Sequence, residues 1–272
     1  MPQIQVIHSE NAIFQQIESL KHSRNKRHKQ KAFLIEGVRH INQARAYNWI
    51  IKSYLYSSDG TLSSWAKEIL STSTVQTHYA LPIALLQKLS NKNKTSELMA
   101  IVSMPEDEFG RIKLSDLPLI VVIDRSSNPG NLGTIIRSCD ALGADGIIMT
   151  GHSVDLFSSE TIASTTGSFF SLPTVRKGSH HDVLPYLEQI KQDYGDLQLV
   201  ATSAHAKTNI QDCNFWRPTV LLIGNEKDGL SKAYLDLADI QIGVTMQGSA
   251  TSLNVACACS ILLYEVSRQR NI

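Results

Sequence analysis

Apolar positions fall in two different rhythms along this chain. In the first hundred residues short patterns alternate: "NAIFQQIESLKHSRNKRHKQK" (11–31) has apolar residues at helical spacing, "AFLIEG" reads as a short strand and "VRHINQARAYN" as a helix. "IIKSYLYS" predicts a strand, "SSWAKEILS" and "LPIALLQKLS" predict helices, and "ELMAIVSM" predicts another strand. Such alternation predicts a small α/β sandwich. Further on the strands change character. "LIVVID", "GIIMTG", "LQLVATS", "TVLLIGN" and "IQIGVTM" are β-branched and nearly continuous, as strands buried on both faces are. Helical patterns at 131–143, about 158–171, 182–194 and 231–238 lie between most of them, and a last one runs from Ser252 to Arg270. This half predicts a doubly wound, largely parallel sheet whose ligand sits beyond the carboxyl ends of its strands. Between the halves, "PEDEFGRIKLSDLP" (105–118) has a proline at each end and four acidic residues. It reads as a linker, with domains at 1–104 and 119–272.

Three loops follow strands of the second half: "RSSNPGNLG", "NEKDGLS" and "QGSATSLN". In a parallel sheet they emerge at one edge and can build one site. Each carries glycine, which lets backbone amides approach a ligand closely. Gly, Asn and Ser are also what turns and helix N-caps require, so one such loop alone means little; three in order mean more. A dinucleotide enzyme is disfavoured, because GxGxxG is absent and "IIMTG" ends without the acid that would hold a ribose.

Composition and charge sharpen this picture. With 272 residues and 42% hydrophobic content, the chain has material for two packed cores. No apolar window approaches the ~18 residues of a membrane span, and "MPQIQVIHSE" lacks the pattern of a signal peptide, so a cytoplasmic location is expected. Cys139, Cys213, Cys257 and Cys259 are sparse and irregular; all four read as buried thiols, with no metal site. The net charge of +1 hides an asymmetry: +7 over residues 1–105 and −6 over 106–272. Six Lys/Arg and two His, with no acid, fall within "KHSRNKRHKQK". That run is either a solvated helix face or a contact for a polyanion, such as the phosphates of a nucleic acid, with Arg24, Lys26, Arg27 and Lys29 as the candidate contacts. His180 and His181 fall in a polar loop and receive no role.

"NPGNLGTIIRSCDALGADGI", "LLIGNEKDGLS" and "VTMQGSATSLNVACACSILLYE" together resemble the three ordered motifs of the SpoU/TrmH family, the RNA ribose 2′-O-methyltransferases of the SPOUT superfamily. "FLIEGVRHINQA" and "KLSNKNKTSELMAIV" resemble, more weakly, the L30e/L7Ae-like substrate-binding domain of the ribosomal-RNA members. The resemblance implies an α/β fold in two parts, an L30e-like RNA-binding domain and a SPOUT domain with a C-terminal deep trefoil knot. It also implies S-adenosylmethionine as cofactor, an obligate homodimer with sites at the subunit interface, and a ribose of 23S ribosomal RNA as target, in a housekeeping or antibiotic-resistance role. A tRNA substrate, or an RNA-binding protein whose knotted domain no longer catalyses, are the alternatives.

By position, the resemblance makes five residues the candidate catalytic set: Asn131 and Arg137, the polar residues of the first motif, Glu226, the acid of the second, and Ser252 and Asn254, the polar residues of the third. Gly224, Val244 and Leu253 match positions that present backbone groups to the cofactor. Thr245 departs from the pattern, where a proline usually precedes the methionine, and Ala256 stands where serine is common. The first departure is expected to loosen the cofactor loop. Methyl transfer to a hydroxyl needs in-line alignment and help with the departing proton. The family proposal makes Arg137 a general base, yet an ordinary arginine loses its proton only at a pH of about 12.5–13.8. A fixed cation that grips a phosphate and stabilises the developing alkoxide is the safer role. Glu226 is expected to cap the helix near Ser231 or order its loop, Asn131 to brace its turn or touch substrate, Ser252 to cap the last helix, and Asn254 to order the knot loops.

Overall fold

The computed structural model describes residues 2–270. The chain divides into two units: one takes in everything through Glu106 together with Phe157–Phe170, the other Asp107–Leu156 and the chain from Ser171 onward.

In the front unit β1 (Gln3–Val6), β2 (Ala32–Glu36), β3 (Ile51–Ser57), β4 (Thr77–Leu81) and β5 (Leu98–Ser103) form one sheet in the order β1-β4-β3-β5-β2. β1, β4 and β3 run parallel, and β5 pairs antiparallel with β3 and β2. Helices α1 (Ala12–His22), α2 (Arg24–Gln30), α3 (Val38–Ala46), α4 (Ser64–Ser71) and α5 (Ile83–Leu89) complete it. Phe14, Ile17 and Leu20 recur along one face of α1 and pack with Leu34, Leu55, Leu86 and Met99. The pattern at 11–31 is therefore two helices and not one. Ser23 takes an extended conformation, ending α1, and its hydroxyl accepts from Lys26 N at 3.3 Å to start α2.

This break decides the fate of the basic run. Arg24, Lys26 and Lys29 stay exposed, but Arg27 turns inward and is only 4% exposed. Its guanidinium donates to the carbonyl oxygens of Leu20 (2.7 Å) and Lys21 (3.0 Å), the free end of α1. Arg27 is thus a structural residue, and its place among the RNA-binding candidates is corrected. Arg27→Ala is expected to destabilise the protein by about 2 kcal/mol, because two helix-end carbonyls lose a charged donor. Lys26→Ala should stay within ~0.5 kcal/mol of the parent. Chemical denaturation of both variants checks the contrast.

In the rear unit β6 (Leu119–Asp124) leads into α6 (Pro129–Ala141) and β7 (Gly146–Thr150). The chain then returns to the front unit for α7 (Ser159–Ser164) and α8 (Ser168–Ser171), which replace the single helix expected at 158–171. Thr166 and Gly167 break it with φ of 51° and 110°, left-handed values no helix continues through. Phe157, Phe169 and Phe170 of this excursion join Phe33 and Trp49 in one aromatic cluster, and Trp49 Nε1 donates to Phe170 O at 3.0 Å.

Back in the rear unit follow β8 (Thr174–Lys177), α9 (Leu184–Tyr194), β9 (Gln198–Thr202), β10 (Thr208–Asn209), β11 (Thr219–Ile223), α10 (Lys232–Leu237), β12 (Ile240–Gly243) and α11 (Val255–Arg270). The sheet order is β10-β12-β9-β11-β6-β7-β8, and every pairing is parallel. β6, β7 and β11 are buried throughout, as their unbroken apolar runs require.

The expected linker is no free tether from Asp107 onward. The Asp107 carboxylate takes Arg176 at 2.7 Å, Phe109 stacks on Tyr186 at 4.2 Å, and Ile112 is buried over Gly146, where a Cβ would stand 2.8 Å from its side chain. Residues 107–118 are a strap of the rear unit, because Phe109, Ile112 and Leu114 pack into that core. Of the cysteines, Cys139, Cys213 and Cys259 are buried but Cys257 is exposed. Cys257 sits two residues before Cys259 on α11, hence on the outward side of the helix.

Candidate active site

Because the sheet is parallel, the loops after β6, β9, β11 and β12 leave it at one edge. Asp124, at the end of β6 and 4% exposed, organises the first two junctions. Its Oδ2 accepts from Arg125 Nε (3.1 Å) and Nη2 (3.0 Å) and from Ser231 N (2.8 Å), the start of α10. Arg125, held at φ 56°, also donates to Gly229 O at 3.1 Å, and its own carbonyl accepts from Asn225 Nδ2 at 2.5 Å. Asn225 and Gly229 exchange backbone hydrogen bonds of 3.0 Å in each direction, so the loop after β11 closes as a small hairpin.

Glu226 projects from that hairpin. Its Oε2 accepts from Ser127 Oγ (2.7 Å) and Ser127 N (3.1 Å), and Oε1 accepts from Asn131 Nδ2 (3.2 Å). Asn131 Oδ1 accepts in turn from Asn254 Nδ2 at 3.1 Å. Asn254 Oδ1 accepts from Ala256 N (2.9 Å) and Cys257 N (3.4 Å), capping α11. One hydrogen-bonded chain therefore runs Ser127–Glu226–Asn131–Asn254 through all three loops. Burial pushes the Glu226 carboxyl upward, but the Ser127 and Asn131 hydrogen bonds outweigh it and bring the group below the usual carboxylate range.

These contacts decide between the two roles expected of Glu226 and correct the one expected of Ser252. Glu226 orders the loops and does not cap α10; Asp124 binds the start of that helix instead. Asn254, and not Ser252, caps α11, because the helix begins at Val255 and only Asn254 stands where its side chain meets the first free amides.

Beside this chain lies a cavity of about 540 Å³. Gly224, Glu226, Val244, Ser252 and Leu253 line it, with apolar walls from Leu230, Leu235, Ile242 and Leu262. Thr202, Ser203, Ala204 and His205, which follow β9, line it too. Sequence reasoning missed that fourth loop, although "LQLVATS" followed by the polar "AHAKTN" marks a strand end at the same edge. The loop after β6 supplies no lining residue; it supports the cavity through Glu226. Arg137 does not line it either. It is exposed on α6, and its side chain has no hydrogen bond or ion pair among the described residues.

The cavity suits a nucleoside-sized group. Its volume falls within the ~300–1,000 Å³ of small-molecule sites, and apolar residues share its lining with polar ones such as Ser203, Asn225 and Thr251. A Cβ at Gly224 would run into the backbone of Gly229 and Leu230, so glycine is what lets the hairpin close against the strand end. Among the described residues no cluster of His, Cys, Asp or Glu could hold a metal ion.

Comparison with known proteins accords with this geometry. Residues 118–264 match the SpoU rRNA Methylase family, and residues 11–100 match the SpoU L30e-like domain. The chain is 42% identical over 270 residues to the 23S rRNA (uridine(2479)-2′-O)-methyltransferase of Streptomyces viridochromogenes, covering 99% of this chain and 94% of that one. It is 29% identical to the 23S rRNA (guanosine(2553)-2′-O)-methyltransferase of Bacillus subtilis (strain 168), covering 94% and 98%. The crystal structure of the SpoU methyltransferase AviRb from Streptomyces viridochromogenes in complex with AdoMet superposes with a TM-score of 0.91 at 43% identity, covering 96% of this chain and 98% of that one. The AdoMet-bound rRNA methyltransferase from Sinorhizobium meliloti gives 0.86 at 28% identity, covering 97% and 98%.

Proposed function

The chain belongs to the SpoU rRNA methylase family, and from that membership we infer how its parts share the S-adenosylmethionine-dependent 2′-O-methylation of a ribose in 23S ribosomal RNA. The observation that carries the assignment of parts is the cavity lined by Gly224, Val244 and Leu253, tied by Glu226 to the loop that opens α6. When bound there, the cofactor supplies an electrophilic methyl group on a sulfonium. Backbone groups at Gly224, Val244 and Leu253 hold it, and the apolar wall excludes water. Asn131, Glu226 and Asn254 keep the loops in register, and Ser252 stands at the cavity's edge.

Arg137 binds the target phosphate and stabilises the alkoxide that develops as the ribose hydroxyl loses its proton. Its freedom from any partner among the described residues supports that role, since a guanidinium already engaged could not bind RNA. Its absence from the cavity lining supports a homodimer in which one subunit's Arg137 completes the other's site. Ile261 and Tyr264, 40% and 61% exposed on the outward side of α11, supply apolar surface for such an interface. The trefoil knot belongs to the same proposal. α11 is tied at its start to Asn131 and at its end to the carbonyls of Leu117 (2.7 Å) and Pro118 (3.3 Å) through Arg270.

Residues 1–104 capture RNA and 119–272 perform transfer, with 157–170 lent to the first. The charge split and the exposed Arg24, Lys26 and Lys29 support this division. Replacing those three with alanine is expected to weaken RNA binding and flatten its salt dependence by roughly one slope unit for each phosphate no longer neutralised, with cofactor affinity unchanged. Filter binding across a salt series tests it; an unchanged slope makes the run a solvated face. A ribosomal-RNA substrate supports a cytoplasmic location for the enzyme. Among the described residues no helix is long and apolar enough to cross a membrane. The two compared relatives modify a uridine and a guanosine, so the shared chemistry lies at the ribose and the nucleotide is chosen by RNA contacts. Incubating the protein with unmethylated 23S rRNA and labelled cofactor, then mapping 2′-O-methyl sites, tests the whole reading. Absence of any new site overturns it.

A further inference from the structure

The loop from Val244 to Asn254 enters the cavity without regular secondary structure of its own, contributing Val244, Met246, Thr251, Ser252 and Leu253 to its lining. Its entry is anchored at one place outside the cavity. β10, only two residues long, ends the sheet by pairing Thr208 with Ile242 and Asn209 with Gly243. Here the segments after β9 and β12 touch closely: Ser203 N donates to Ile242 O at 3.0 Å, and a Cβ on Gly243 would lie 2.6 Å from Ser203 O. Two residues past Gly243, Thr245 Oγ1 accepts from Asn209 Nδ2 at 2.6 Å. The other atom of that amide, Oδ1, accepts from Gln211 N at 3.4 Å, which orients the group from behind.

We propose that Asn209, which does not itself line the cavity, is a positioning residue for cofactor binding, acting through Thr245 on the loop 244–254. A proline at position 245 would restrain the backbone by its ring. Threonine carries no such restraint, and the bond to Asn209 supplies one from the neighbouring strand. The bond counters the loosening that the sequence suggests at this position. It holds Val244 on one side and the approach to Met246 on the other. Without it, ordering this loop becomes an added cost of binding. The inference rests on the reading of the cavity as the S-adenosylmethionine site.

Calorimetry with S-adenosylhomocysteine on the full-length protein tests it. Asn209→Ala and Thr245→Val are each expected to weaken binding roughly five- to tenfold, the effect of one hydrogen bond. The double variant should lose no more than either single one, because both remove the same bond. Thr245→Pro in the Asn209→Ala background should restore affinity. In methylation assays the KM for cofactor should rise while kcat at saturating cofactor holds, which a general loss of stability would not produce. If Asn209→Ala fails to fold, Thr245→Val carries the test, since it leaves the turn at Gln211 intact. Unchanged affinity in the single variants, or additive losses in the double, overturns the proposal while leaving the cofactor site standing. No binding by the unaltered protein overturns the cofactor reading and this inference with it.

Discussion

Arg137→Ala is expected to slow ribose methylation at least about a hundredfold while leaving thermal stability and S-adenosylhomocysteine affinity unchanged. The size follows from removing a preorganised cation at a developing oxyanion, where the loss of one donor costs ~10²–10³ in rate. The selectivity follows from its setting. An exposed side chain without partners among the described residues holds nothing together, and one outside the cavity lining touches no cofactor. Single-turnover methylation at saturating RNA measures the effect. Near-normal turnover would exclude both the electrostatic role and the general-base role. Arg137→Lys keeps the charge but not a planar, bidentate grip, so an intermediate rate is expected.

Gly224→Ala is expected to weaken cofactor binding by about ten- to a hundredfold. The added methyl meets main chain, not the far end of a flexible side chain: the carbonyl carbon of Gly229 and the amide nitrogen of Leu230. Relief requires the hairpin to open, and overpacking of this kind costs ~1–3 kcal/mol. Opening also moves Glu226 off Ser127 and Asn131, so the damage spreads from cavity to α6. Calorimetry with S-adenosylhomocysteine reads the loss; full affinity would mean the hairpin yields freely. Combined in mixed dimers, the two variants test the proposal that the site is shared between subunits. An Arg137→Ala chain keeps its cavity, and a Gly224→Ala chain keeps its arginine. Activity returns only if the two groups meet across subunits, and a dead mixture places them within one chain.

What can be read from sequence follows burial. The fully covered strands β6, β7 and β11 are continuous apolar runs that no other element imitates. Sheet edges are not legible: β10 is two residues long, and β8, "TVRK", has one apolar residue in four. The break at Ser23 hides in a run of good helix formers, where serine can be an interior residue as readily as a cap. Nor does a string of cations reveal which one turns inward; Arg27 is selected by the open end of α1, a partner that exists only after folding. In the site, glycines and acids are visible as motif residues, but their pairings are not. Glu226 meets Asn131 across 95 residues, a partner too distant in sequence for local reasoning to choose between capping a helix and ordering a loop. Asp124 reads only as the end of a strand, since nothing in "VVIDRSS" separates an organising carboxylate from a solvated one.

The excursion at 157–170 sets a schedule for synthesis. A polypeptide leaves the ribosome from its amino end, and domains ordinarily fold as they emerge. The front unit cannot finish on that timetable, because Phe157, Phe169 and Phe170, which cover Phe33 and Trp49, are made only after β6, α6 and β7. Until then its aromatic cluster stands open while the first strands of the other sheet are already in the solvent. The nascent chain therefore passes through a window in which two unfinished cores coexist. Genetic excision at residue 104 would make that window permanent, so the L30e-like half is not a cassette that can be transplanted by cutting once.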